Sequence, residues 1–218
     1  MSGRGPRLLF APLLAALAFL AACAPARPLL TGPEGEQAAR FFARMTEAAA
    51  FPVKASFSGV ARSSGRDAMP FIAGVNAPSE AAELLGLYDP AGGAVAFLAN
   101  NGRTLELSRG PMAELAGNWK ARKVAAGPVS LGRILSGAPG YPVTGGETTR
   151  GEDGGWVLSD ERQTLYSDPG RRFLARAKYR LGGVEAAVEY PGRDSAAPPA
   201  RIEAASRGLT ISLRRDPE

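Results

Sequence analysis

The chain has 218 residues, 26 Lys and Arg against 21 Asp and Glu, one cysteine and no histidine. Those counts exclude Ser-His-Asp and Cys-His catalysis and the usual zinc sites, because each needs an imidazole or several thiolates. The formal charge of +5 comes without a basic run interleaved with aromatics, so nucleic acid is not expected as a partner.

The N-terminus reads as a targeting segment. Arg4 and Arg7 precede a run from Leu8 to Ala22 that is almost wholly Leu, Ala and Phe and too short to span a bilayer stably. It ends at Leu20-Ala21-Ala22-Cys23, which matches the box cut before a diacylglyceryl-modified cysteine. The reading is therefore a bacterial lipoprotein precursor: 1–22 signal peptide, 23–33 lipidated tether, 34–218 a single domain. Cleavage leaves 24 Lys and Arg against 21 acids, a balance of +3. Each buried methylene contributes about 0.8 kcal/mol, so two or more acyl chains hold the mature chain on its membrane. With Ala24 and not Asp after the cysteine, the outer membrane, periplasmic face, is the expected location. Ala24 to Gly35, punctuated by Pro25, Pro28 and Pro33, is expected to be a short spacer.

From Glu34 to Ala50, residues Ala38, Phe41, Phe42, Met45 and Ala49 fall on one stripe of an amphipathic helix, which Pro52 ends. The period then changes to two. Strands are expected over Val53–Arg62, around Phe71, Ala73 and Val75, over Glu83–Tyr88, Ala94–Ala99 and Thr104–Ser108. Asp89-Pro90-Ala91-Gly92-Gly93 has glycines without the Lys-Ser/Thr of a phosphate loop, and it reads as a turn. Asn101-Gly102 predicts a hairpin whose turn pairs either Leu98 or Phe97 with Leu105, two registers between which the sequence does not choose. Two short helices follow, Pro111 to about Trp119 and Ser130–Ser136, the second with Leu131, Ile134 and Leu135 along one edge.

The last third alternates most cleanly. Gly182-Gly183 joins two strands, and pairing Leu181 with Val184 sets Arg180 opposite Glu185 and Arg176 opposite Glu189 on one face. Ala177 then meets Val188 and Ala175 meets Tyr190 on the other. Ile202–Ala204 and Leu209–Leu213, around Arg207-Gly208, form a closing hairpin. The expected fold is mainly β (α+β): a curled antiparallel half-barrel of about ten or eleven strands, with the helices covering its apolar face. The acid pairs Glu152-Asp153 and Asp160-Glu161 sit in turn-like stretches, where they read as solvated acids and not as a glycosidase pair. No enzymatic activity, cofactor or metal is expected.

The order of these features resembles the LolA/LolB family of periplasmic lipoprotein carriers and receptors, and the lipobox makes the outer-membrane receptor LolB the nearer relation. The resemblance is carried by the first helix, Phe57-Ser58-Gly59, Asp89-Pro90-Ala91-Gly92, Asn101-Gly102, Pro128-Val129 with Leu131 and Ile134-Leu135-Ser136-Gly137-Ala138-Pro139, and Asp168-Pro169-Gly170-Arg171. It implies a cavity for the acyl chains of other lipoproteins and assistance in their localisation and insertion, with a soluble LolA-like carrier as a further partner and the chain itself a monomer. The candidate lining is Phe57, Phe71, Val75, Phe97, Trp156, Leu158, Phe173, Tyr179, Val188 and Tyr190. The candidate lid is Phe41, Met45, Leu131, Ile134 and Leu135, and the membrane-delivery loop is Tyr88 with Ala91. The family's exposed leucine in that loop is Ala91 here, and its tryptophan in the lid segment is Ile134. A second reading is a structural or adaptor lipoprotein of the same shape, binding an envelope partner or glycolipid.

Cys23→Ala is expected to move the mature chain from the membrane to the soluble fraction. Metabolic labelling with palmitate should mark the parent chain and leave the variant unlabelled.

Overall fold

The computed structural model describes residues 27–47, 51–65, 67–109, 122–125, 127–181, 184–195, 197–206 and 208–217. The expected signal peptide, Cys23, the expected helix at Pro111–Trp119 and the Gly182-Gly183 turn lie outside the described residues.

The described residues form one antiparallel sheet of thirteen strands flanked by two helices, α1 (Gly32–Glu47) and α2 (Leu131–Leu135). The strands are β1 (Val53–Ser63), β2 (Met69–Ser79), β3 (Ala82–Tyr88), β4 (Ala94–Asn100), β5 (Thr104–Arg109), β6 (Arg122–Ala125), β7 (Glu147–Arg150), β8 (Trp156–Ser159), β9 (Gln163–Ser167), β10 (Leu174–Leu181), β11 (Val184–Glu189), β12 (Arg201–Ser206) and β13 (Leu209–Arg215). Their order is β6-β5-β4-β3-β2-β1-β13-β12-β11-β10-β9-β8-β7, with β1 and β13 joining the two halves at the centre. The two edges, β6 and β7, do not meet, so the curled sheet is an open half-barrel. The count exceeds the expected ten or eleven because β6, β7, β8 and β9 are only four or five residues long. Runs that short show too little alternation to be read individually.

Register follows the apolar alternation. Across the second half, Leu158, Leu165, Ala177, Val188, Ala204, Ile211 and Ala61 stand opposite one another strand by strand and form a continuous inward row. The β10–β11 pairing is the expected one, with Leu181 opposite Val184 and Arg176 opposite Glu189. The charges on its outer face do not all pair directly across. Lys178 reaches Glu185 at 3.8 Å, while Arg176 stacks 4.0 Å over the Tyr166 ring.

The Asn101-Gly102 hairpin takes neither expected register. Asn100 opposes Leu105 and Leu98 opposes Leu107, and Asn101 N donates to Thr104 O at 3.3 Å across the turn. Asn101 Oδ1 accepts from the backbone N–H of Arg103 and Thr104, and Asn100 Oδ1 accepts from Gly102 N. These side-chain acceptors hold a turn centred on Gly102 and Arg103, one residue later than a turn on Asn101-Gly102. The spacer is also shorter than expected: Leu29 bridges Thr149, Leu30 N donates to Thr148 O at 2.8 Å, and helix α1 starts at Gly32. The segment from Arg27 onward thus belongs to the fold.

Asp168 shows how a turn is held. Buried at the β9–β10 connection, its carboxylate accepts from the backbone N–H of Gly170, Arg172 and Phe173 and from the Arg172 guanidinium. Burial pushes its pKa up, but the Phe173 and Arg172 hydrogen bonds outweigh it and hold the group below the ordinary carboxylate value. A depressed folded-state pKa adds stability that is present above the unfolded value of about 3.9 and lost as pH falls through the folded value. Asp168→Asn is expected to cost about 1–3 kcal/mol at neutral pH. Acid unfolding followed by circular dichroism should show that difference shrinking below pH about 4.

Candidate functional site

The inward face of the half-barrel is apolar, and what covers it is the candidate site. Helix α1 lays Ala38, Phe41 and Phe42 against it, with Phe41 edge-on to Trp156 at 5.8 Å and to Phe42 at 5.0 Å. Its first turn is tied to the β7–β8 end, where Glu34 accepts from Trp156 Nε1 at 3.3 Å and pairs with Arg150 and Arg171. The Trp156 hydrogen bond, followed by the Arg150 contacts, lowers the Glu34 pKa despite some desolvation. Arg171, left-handed at φ 59°, stacks 4.5 Å over the Trp156 ring.

The second cover is the connection from β6 to β7, described over residues 127–146. It crosses the mouth as a strap and carries α2. At its start, the buried carboxylate of Glu83 on β3 takes the place of a capping side chain. Oε1 accepts from Ser130 Oγ at 2.5 Å and Gly132 N at 3.0 Å, while Oε2 accepts from Leu131 N at 2.7 Å and Asn100 Nδ2 at 2.6 Å. Asn100 also donates to Val129 O, and Ser130 Oγ accepts from Arg133 N as the helix N-cap. The N–H groups that a helix leaves orphaned at its start are thereby satisfied inside an apolar surround. Arg133, buried, binds Glu80 and the Thr46 carbonyl, joining the strap to the C-terminal end of α1.

Beyond α2 the strap is held by the opposite half of the sheet. Tyr190 Oη donates to Ile134 O at 2.9 Å, Tyr179 Oη accepts from Gly140 N at 3.1 Å, and Gln163 exchanges hydrogen bonds with the Tyr141 backbone. Arg193 Nη1 donates to Gly137 O at 2.8 Å. Burial pushes the Tyr179 and Tyr190 phenols well up, so both are neutral hydrogen-bonding groups.

Nine of the ten lining candidates are buried: Phe57, Phe71, Val75, Trp156, Leu158, Phe173, Tyr179, Val188 and Tyr190. All but Phe173 join a single core cluster. Phe97 is the exception. Leu87 opposes Ala96 and Leu85 opposes Leu98, so the alternation of β4 turns those two inward and Phe97 outward. Its ring meets Tyr88 edge-on at 6.3 Å on the outer face. There Tyr88 lies over Gly86, where an added Cβ would come within 2.8 Å of the ring. Of the delivery-loop pair, Tyr88 is therefore folded back on the sheet, and only Ala91 stands exposed in a turn fastened by Asp89 Oδ1. Of the lid candidates, Phe41, Ile134 and Leu135 are buried, and Met45 and Leu131 pack half-buried against the core. The site residues missed in sequence are polar: Glu83, Asn100, Ser130, Arg133 and Gln163, all buried. Glu83 inside a strand that otherwise reads Leu-Leu-Gly-Leu was the available signal.

The acid pairs sit in turns. Asp153 accepts from Gly155 N, Asp160 from Arg162 and Gln163 N, and Glu152 pairs with Arg27 at the surface. Among the described residues no group of three metal-ligating side chains forms, and no helix is long and apolar enough to cross a membrane.

No protein-family model matches the chain, and no curated protein sequence does. Among solved structures it is similar to a LolA superfamily protein from Nitrosomonas europaea, at 12% identity over 82% of this chain and 91% of that one, TM-score 0.49. It is also similar to a putative outer membrane lipoprotein-sorting protein domain from Vibrio parahaemolyticus, at 9% identity over 84% and 91% of the two chains, TM-score 0.48.

Glu83→Gln places an amide N–H₂ where backbone and Ser130 donors already converge. It is expected to destabilise the chain by at least about 2 kcal/mol, a melting-temperature drop of roughly 4–8 °C. Hydrogen exchange should accelerate first at the Leu131 and Gly132 amides, ahead of the β10–β13 core.

Proposed function

We propose that this chain binds the acyl chains of other lipoproteins between the half-barrel and its strap, and assists their localisation at the outer membrane. The observation that carries the reading is the form of the cover. An apolar sheet face is closed by a separate segment, which buries Val129, Ile134, Leu135 and Tyr141 against it and is fixed by polar contacts at Glu83, Arg133, Tyr179, Tyr190 and Gln163. The polar contacts give the cover a defined seat to which it returns after opening. Raising the strap would uncover Val188, Tyr179 and Phe57 together, a dry surface suited to hydrocarbon. On this reading the lipid on Cys23 holds the domain at the outer membrane, and a soluble LolA-like carrier supplies the acylated cargo.

One observation favours the second reading, a structural or adaptor lipoprotein. The inner face is packed by the chain's own side chains, and Ile72 and Leu84 stand exposed beside Tyr88 and Phe97 on the outer face. That outer surface suits a protein contact.

Native mass spectrometry of the mature chain carrying Cys23→Ala, incubated with a palmitoylated peptide, separates the two readings. The expected spectrum shows one acylated species per chain, and depletion in cells leaves other lipoproteins mislocalised. A spectrum of unliganded chain alone, with normal sorting, would sink the lipid-binding reading and leave the adaptor.

A further inference from the structure

We infer that the outer edge of β7 is a docking strip for the peptide segment that follows the lipidated cysteine of a cargo protein, and that the chain's own residues 27–30 occupy it here. The inference rests on the lipid-binding reading and names where the peptide part of the cargo runs.

β7 ends the sheet, and its outer edge is met by the chain's own N-terminal segment. Leu30 N donates to Thr148 O at 2.8 Å, Leu29 stands opposite Thr149 in an antiparallel bridge, and Arg27 pairs with Glu152 at 2.6 Å. Leu30 packs against the core while Leu29 is 53% exposed, which is the alternation of a strand. The contact is nonetheless slight. It engages two of the four residues of β7, its ion pair is at the surface, and the chain leaves it at Gly32, whose φ of +63° turns it into α1. Anchoring of α1 falls to Phe41, Phe42 and Glu34, so residues 27–30 can leave the edge without taking the helix with them.

Two features make this edge suit a foreign segment. Backbone pairing reads no side chains, so it accepts extended segments of many sequences, as strand addition at sheet edges does. The strip also runs along the rim of the interior: Thr148 is buried on β7 itself, with Leu158 directly across from it and Trp156 on the same neighbouring strand. A peptide lying there has its acylated end a few residues away from that interior. Cys23 and Arg27 are four residues apart in sequence, and four residues span at most about 14 Å. The chain's own tether is thus a ligand of the same chemistry, an extended segment following an acylated cysteine, held weakly enough to be exchanged.

A reversible lock tests this. Antiparallel partners lie about 4.5–5.5 Å apart at Cα, within disulfide range, so Leu29→Cys with Thr149→Cys in the mature Cys23→Ala chain fastens the segment to the edge. The probes are a synthetic peptide of residues 23–30, S-palmitoylated on its cysteine, and palmitate alone, each titrated against the oxidised and the reduced form. The expected result is at least tenfold weaker peptide binding when oxidised, recovery on reduction, and equal palmitate binding in both forms. Equal peptide binding in both forms would overturn the docking strip and leave the lipid-binding reading standing. Palmitate binding lost together with peptide binding on oxidation would also overturn it, since the lock would then be closing the interior. Failure of both probes in both forms would remove the lipid-binding reading, and the strip with it.

Discussion

A single buried carboxylate organises the cover of this fold. Glu83 is the only charge on the inward side of β3, and it is tolerated because four donors, two of them the first amides of α2, converge on its two oxygens. Without those donors the charge would be untenable, and without the charge α2 would begin with unpaired amides in an apolar surround. Each requires the other. Helix, strap and the β3–β4 hairpin therefore assemble together, although 47 residues separate Glu83 from Ser130.

The two halves of the sheet hold the strap by different chemistry. The β1–β5 half uses a carboxylate and an amide, groups that bond strongly and directionally. The β8–β11 half uses two buried tyrosines and a glutamine, which give neutral hydrogen bonds from rings that are themselves part of the apolar wall. The strap is thus pinned strongly where it enters and more gently where it leaves. Arg133 adds a third connection, to α1 through the Thr46 carbonyl, so the two covers are linked to each other as well as to the sheet.

Much of this was legible in sequence, and the illegible part has a physical pattern. The α1 stripe, the β10–β11 register and the short α2 follow from periodicity, because each buries one face and exposes the other. Phe97 was misplaced because size suggests burial, while face is decided by parity; the smaller Ala96 and Leu98 hold the inward positions. The β4–β5 turn went astray because Asn100 and Asn101 accept backbone hydrogen bonds that a glycine-based turn rule does not count. The polar latch was invisible as a set, since its members come from β3, β4, β9 and the strap, and only the folded sheet brings them together.

The strand-like pairing of residues 27–30 with β7 has a further consequence, for how copies of the chain tolerate one another. An exposed β edge invites a second molecule's edge, and sheets so joined can extend without limit. Here residues 27–30 lie along that edge, with Pro28 among them to discourage further pairing. The same few residues thereby shield this edge of the sheet from a neighbouring copy.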